Sequence, residues 1–277
     1  GSNADGTQAG DGIDYGDGVQ PRVSGERKSK DYYTVLILGR DTGGGGNTDT
    51  MLLASYDVTN QKANVMSIPR DTMVNVNWDV KKINSVYNMN GGGEKGIKAL
   101  YKEISQLVGF EPDYQVILEW EAVGKIVDAI GGVDVYSDQA FTSVGSPGYY
   151  DPTTFAEGWN HLDGKSALAF ARERHAFASG DIQRGINQMK VIDAMANKLK
   201  SPTVLMSFSK LMDAVSDCFV TSLSQEQISA LVRMQLGDLA SWDIESCSVT
   251  GSSGKSSQCY SCLLYTSPSP RDRTRSR

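Results

Sequence analysis

Histidine is almost missing from this sequence, and surplus positive charge and long apolar runs are missing altogether. His161 and His175 are the only histidines. They lack the paired spacing of a zinc motif, and no G-x-S-x-G elbow accompanies them, so zinc hydrolysis and serine hydrolysis drop out. A net charge of -6 and a pI near 5.0 argue against general nucleic-acid binding, which needs an excess of Lys and Arg. No stretch approaches the roughly 20 apolar residues of a membrane-spanning helix. No internal repeat is present. The Gly43-Gly44-Gly45-Gly46 run is followed by no Gly-Lys-Ser/Thr, so it is a hairpin connection rather than a Walker loop.

What remains is an ordinary globular composition: 277 residues, 39% hydrophobic and 22% charged, enough to bury a full core. The first 30 or so residues are rich in Gly, Asp and Ser and read as a flexible tether, opening with Gly1-Ser2-Asn3-Ala4 in the manner of a tag-cleavage scar. A membrane anchor is expected upstream of that scar. Residues 31–250 are expected to form the folded domain. Residues 251–277 are set aside as a disordered or non-native tail; from about Cys262 the chain turns basic without apolar periodicity and resembles a translated sequencing adapter. With Cys262 set aside in that tail, Cys218, Cys247 and Cys259 show no metal-ligand spacing. In an oxidising exterior two of them suit a disulfide, and isolated thiols suit the sequence equally.

Tyr33 to Gly39 (YTVLILG) is a β-branched and aliphatic run ended by glycine, the pattern of a strand buried on both faces. Asp49 to Asp57 and Lys62 to Ile68 read as two further strands, and their short connections predict an antiparallel meander. Gly91 to Val108 reads as a helix, Tyr114 to Trp120 as a strand, Glu121 to Ile130 as a helix and Val133 to Ser137 as a strand. Asp163 to Ala171 and Asp181 to Lys200 follow as helices. Ser201-Pro202 caps the next, and Ser224 with Gln227 makes a capping box for a helix to about Leu239. Such alternation predicts an α/β fold: a single domain whose central mixed β-sheet is flanked by helices on both faces.

The meander places Asp41, Asp49 and the Arg70-Asp71 pair at one sheet edge. Two carboxylates with an arginine suit a divalent metal carrying a phosphate, although spacing alone favours turn chemistry for Asp beside Gly. Arg172 and Arg174 share a face if their segment is extended, where they could fork around one diphosphate; a solvated charged turn fits the same letters. Asp181 stands at the expected N-cap of its helix, and Arg184 and Gln188, four residues apart, share one helix face. A helix N-terminus and an arginine both favour phosphate there, although a structural cap with a surface arginine has the same sequence.

Seven ordered blocks, VLILGRD (35–41), TDTMLL (48–53), SIPRDT (67–72), KIN (82–84), VDAIGGVDV (127–135), LDGKSALAFARER (162–174) and GDIQR (180–184), followed by Gln188, resemble the LytR-CpsA-Psr family over nearly all of residues 32–250. The resemblance implies an enzyme anchored on the extracytoplasmic face of the bacterial membrane. It would transfer teichoic acid, capsule or a similar glycopolymer from undecaprenyl diphosphate to peptidoglycan, with Mg²⁺. It implies that Asp41 and Asp49 serve metal and catalysis, and that Arg70, Arg172, Arg174, Arg184 and Gln188 hold the diphosphate. Lys82, Asp71 and Asp181 are implied as supporting members. Asn47 and Asn187 stand where the family often has arginine, a loss expected to weaken diphosphate grip or alter substrate preference. Lipid diphosphate hydrolysis and non-catalytic wall binding are the rival expectations.

Overall fold

A computed structural model describes residues 32–40, 46–57, 59–230, 243–248, 251–254 and 262–265, with Asp181 and the strands from 243 onward described by backbone alone. The fold is α/β with a central mixed sheet, as the alternation of elements predicts. Within it, contacts fall into two compact units.

The unit containing Arg27–Pro69 and Pro112–Ser248 holds the sheet. Strands β1 (Tyr32–Arg40), β2 (Thr48–Asp57) and β3 (Lys62–Ser67) form the expected antiparallel meander. Strand β4 (Tyr114–Glu119) runs parallel to β1, β9 (Phe219–Thr221) pairs with β4, and β10 (Asp243–Ser248) runs parallel to β3, giving the order β10-β3-β2-β1-β4-β9. Leu36, Leu38, Met51 and Leu52 are buried in its centre, so β1 and β2 read as near-continuous apolar runs.

Helix α3 (Trp120–Ala129) follows β4 directly and leads to β5 (Val133–Ser137), which pairs with β8 (Gly158–Leu162). Short strands β6 (Phe141–Thr142) and β7 (Thr154–Phe155) pair between them. Helix α4 (Gly164–Arg172) starts at a capping box in which Asp163 accepts from the Ser166 backbone and Ser166 reaches back. Helix α5 (Gly180–Leu199) comes next. Its N-cap is Ser179, two residues before the Asp181 expected from sequence, and Ser179 makes no side-chain cap. Ser201 caps α6 (Pro202–Met206), with Pro202 in the first turn, and α7 (Phe208–Val215) follows. Trp120, Val127, Phe155, Leu168, Phe170 and Val191 fill one apolar core with these helices. Cys218 lies in it as a free thiol whose pKa burial raises; Cys247 and Cys259 lie outside the described side chains. Ser224 and Gln227 form the reciprocal capping bonds predicted, and the helix beyond 230 lies outside the described residues.

The other unit contains Arg70–Glu111. Here α1 (Val86–Met89) and α2 (Gly93–Val108) pack together, with Ile97, Leu100, Ile104 and Leu107 forming the buried stripe of α2 and Gly109 closing it at φ 89°. In the same unit β11 (Gly251–Gly254) and β12 (Cys262–Tyr265) pair antiparallel, within the stretch that sequence reading set aside. No helix among the described residues is long and apolar enough to cross a membrane.

Candidate active site

The antiparallel register of β1 and β2 is regular from Tyr32↔Asp57 to Gly39↔Thr50, and then jumps to Arg40↔Thr48. Asp49 is the residue left over, the extra member of a bulge. In a regular strand Asp49 and Thr50 would point to opposite faces. Here both reach the same helix: an Asp49 oxygen lies 3.7 Å from Arg184 Nη2, and the Thr50 hydroxyl makes a short hydrogen bond to Gln188 Oε1. Arg184 and Gln188 are one turn apart on α5 and both are buried, so the helical spacing read from sequence faces the start of β2. Bulges re-aim side chains at the rims of sheets, and this one turns a strand start into a polar platform.

The Asp49 and Arg184 side chains are only 9% and 8% exposed. A charge pair this deep gains from a low dielectric and costs desolvation, which makes it a poor purchase for stability alone. Gly39 explains how α3 joins the platform. A Cβ there would lie 2.8 Å from Trp120 Nε1 and 3.0 Å from Thr50 Cβ, so only glycine lets the indole settle beside the strand pair. Trp120 begins α3, and its neighbour Glu121 lies 3.6 Å from Arg172 Nη1. Both Glu121 carboxylate oxygens are buried and accept no hydrogen bond among the described residues. Glu121 was not singled out from the sequence; an acidic residue in a first helical turn reads as a complement to the helix dipole, and nothing local announces a distant arginine.

Arg172 closes α4, and Glu173 leaves the helix in extended geometry (φ -65°, ψ 134°). Glu173 is buried while Arg174 is exposed and Arg172 half-buried, so the period-two alternation expected of an extended segment begins only after Arg172. Asn187 is buried and used structurally: its amide donates to the Phe170 carbonyl oxygen at 3.3 Å and accepts from Gln183 at 3.0 Å, tying α5 to α4. Arg40, at the end of β1, donates to the Gly46 carbonyl oxygen and pairs with Glu119 at 3.5 Å. Asp41 lies outside the described residues, and so does the side chain of Asp181.

In the other unit Arg70, Asp71 and Lys82 form a cluster of their own. Asp71 Oδ1 lies 3.1 Å from Lys82 Nζ and 3.7 Å from Arg70 Nε. Backbone bonds from Ile83 to Thr72 and from Asn84 to Arg70 hold the two segments together. Among the described residues Asp49 pairs with Arg184, Asp71 with Arg70 and Lys82, and Arg172 with Glu121.

The fold is a mixed central sheet with helices, and a buried arginine–carboxylate pair stands at its bulged strand start. The model of the LytR_cpsA_psr family matches residues 3–271, and the chain belongs to that family. Among relatives, the "polyisoprenyl-teichoic acid--peptidoglycan teichoic acid transferase TagU" of Bacillus mycoides is 33% identical over 199 residues, covering 70% of this chain. The chain spans 62% of that relative's length. Among solved structures, B. subtilis TagV superposes with a TM-score of 0.68 at 25% identity, over 82% of this chain and 87% of that one. TagT bound to LIIa-WTA gives 0.62 at 25% identity, over 88% and 89%.

Proposed function

We propose that this chain is the catalytic part of a glycopolymer transferase that moves teichoic acid, capsule or a related polymer from a polyprenyl diphosphate carrier, undecaprenyl diphosphate in bacteria, to peptidoglycan. It would work on the extracytoplasmic face of the membrane, held there by an N-terminal anchor. The observation that carries the reading is the bulged start of β2, where Asp49 and Thr50 both engage α5, in a chain whose relatives bear the name teichoic acid transferase. Arg172, Arg174, Arg184 and Gln188 are assigned to the diphosphate.

In the proposed step a peptidoglycan hydroxyl oxygen bonds to the polymer-side phosphorus. The bond from that phosphorus to the bridging oxygen breaks, its electron pair stays on the bridge, and polyprenyl monophosphate departs. The hydroxyl proton passes to Asp49. The arginines neutralise charge on the phosphate oxygens, and their pre-ordered positions lower the barrier by electrostatic stabilisation rather than by covalent chemistry. Mg²⁺ belongs to the same proposal. Among the described residues no three His, Cys, Asp or Glu gather as a protein-only cage, and Asp49 stands as a single buried carboxylate. That donor set fits an ion commonly held by one or two carboxylates plus substrate phosphate and water, with Asp41 assigned as the second. When bound, the ion would supply further neutralisation of the phosphate oxygens.

The test is incubation of the protein with a polyprenyl diphosphate-linked polymer and Mg²⁺, with and without peptidoglycan. Polymer joined to peptidoglycan together with polyprenyl monophosphate is the expected result. Release of phosphorylated polymer with no wall conjugate overturns it in favour of a lipid diphosphate hydrolase, and no turnover of any kind favours a binding module.

A further inference from the structure

Between β6 and β7 the chain makes a loop from Ser143 to Thr153 that is far better tied down than its exposure suggests. The Ser143 amide donates to the Thr153 carbonyl oxygen at 2.8 Å, and the Thr153 amide donates back to Ser143 Oγ at 2.9 Å. Nearer the tip, Ser146 donates to the Tyr150 carbonyl oxygen at 2.8 Å, and Tyr149 donates to that of Ser146 at 3.0 Å. Gly145 turns the chain at φ +85°, where a Cβ would also lie 2.8 Å from Pro152.

The same loop is fastened to the arginine segment by Glu173. This residue is 5% exposed, and its carboxylate accepts from the Val144 amide at 2.7 Å and from the Ala176 amide at 3.0 Å. Charge-assisted bonds of this kind are the strong ones, and both oxygens are used. Their effect is positional. They hold Tyr149 with its ring centroid 5.9 Å from the Arg172 guanidinium carbon, within cation–π range, while 46% of the tyrosine stays open to solvent. Arg172 therefore meets Glu121 on one side and the Tyr149 ring on another.

A single exposed aromatic residue is ordinary on a protein surface. Tyr149 differs in having a backbone locked on both sides and a cation held against its ring. We propose that Tyr149 determines specificity for the donor, packing its ring against the first sugar of the polymer while Arg172 holds the adjoining phosphate. This rests on the diphosphate reading of the preceding section. The first sugar is separated from the polymer-side phosphorus by one oxygen, so a ring beside the phosphate-gripping guanidinium meets that sugar before any later part of the polymer. The C–H face of a pyranose suits an aromatic face. Tyrosine supplies this area with few rotors to freeze, and the anchored loop removes backbone freedom in advance.

The experiment measures calorimetric binding of two probes to the full chain: farnesyl diphosphate, which carries no sugar, and farnesyl diphosphate bearing N-acetylglucosamine on its terminal phosphate. Tyr149→Ala is expected to weaken the sugar-bearing probe by about tenfold and farnesyl diphosphate by less than about twofold, with Tyr149→Phe close to wild type. Equal losses on both probes would mean that the ring only steadies Arg172, and unchanged binding of both would mean that it takes no part; either result overturns the proposal. Wild-type protein that binds neither probe overturns the diphosphate reading itself, an outcome distinct from the other two. Urea midpoints of the variants, expected to match wild type, separate loss of binding from loss of fold.

Discussion

Glu121 is the residue whose chemistry most exceeds what its position in the sequence announces. Its carboxylate oxygens are buried and accept no hydrogen bond among the described residues, and its ion pair with Arg172 is 3.6 Å long. Removing the charge while keeping the shape takes a carboxylate partner from the poorly solvated Arg172 guanidinium, and breaking one side of such a pair costs stability. Glu121→Gln is expected to lower the urea unfolding free energy by about 1–3 kcal/mol. Transfer to peptidoglycan should fall by about ten- to a hundredfold as Arg172 loses its brace. A variant that transfers at the wild-type rate would show that Arg172 is positioned without it. Arg184 and Gln188 were legible because a spacing of four on a helix is a local signal. The pairing of Arg172 with Glu121 was not, since 51 residues separate them (172 − 121 = 51) and each looks solvated in its own segment.

The β1–β2 pair carries the next lesson. An antiparallel meander follows from three apolar runs with short joins, and the register is regular until the strand end. The bulge at Asp49 has no comparable letter pattern: both Asp and Thr are common at strand starts, and whether they share a face depends on one skipped pairing. Gly39 sits opposite Thr50 in the last regular pair and beneath the Trp120 indole. Gly39→Ala is expected to destabilise the protein by about 1–3 kcal/mol in urea unfolding, since a methyl group must displace either the indole or the strand. Its transfer activity should fall as well, because Thr50 and its bond to Gln188 move with the strand. The α5 cap was misplaced from sequence for a related reason: Asp181 has the better capping chemistry, yet the turn after Arg174 brings the helix in at Ser179, and tertiary context overrides the local preference.

At the scale of the molecule, the α/β class and the mixed central sheet were legible from the alternation of elements, whereas the division of contacts into two units was not. Composition changes little between Pro69 and Arg70, so no linker marks the boundary. The unit containing α2 carries a pH-sensitive group in Glu103, which is buried on the helix and whose carboxyl is pushed up to about 7 by that burial. Between the ordinary glutamate value of about 4.5 and about 7 the folded state keeps a proton that the unfolded chain releases. Stability should therefore fall as pH rises through that window and level off above it. Glu103→Gln should flatten the profile and leave the variant more stable than wild type at pH 8, by on the order of 1–2 kcal/mol, read from urea midpoints across pH. Parallel pairing of β10 with β3 has another consequence. Asp243 aligns with Lys62, a separation of 181 residues (243 − 62 = 181), so β3 leaves the ribosome with its outer rim bare and must wait for most of the polypeptide to be synthesised before it gains a neighbour. Until then that rim is an unpaired strand edge, open to pairing with another chain.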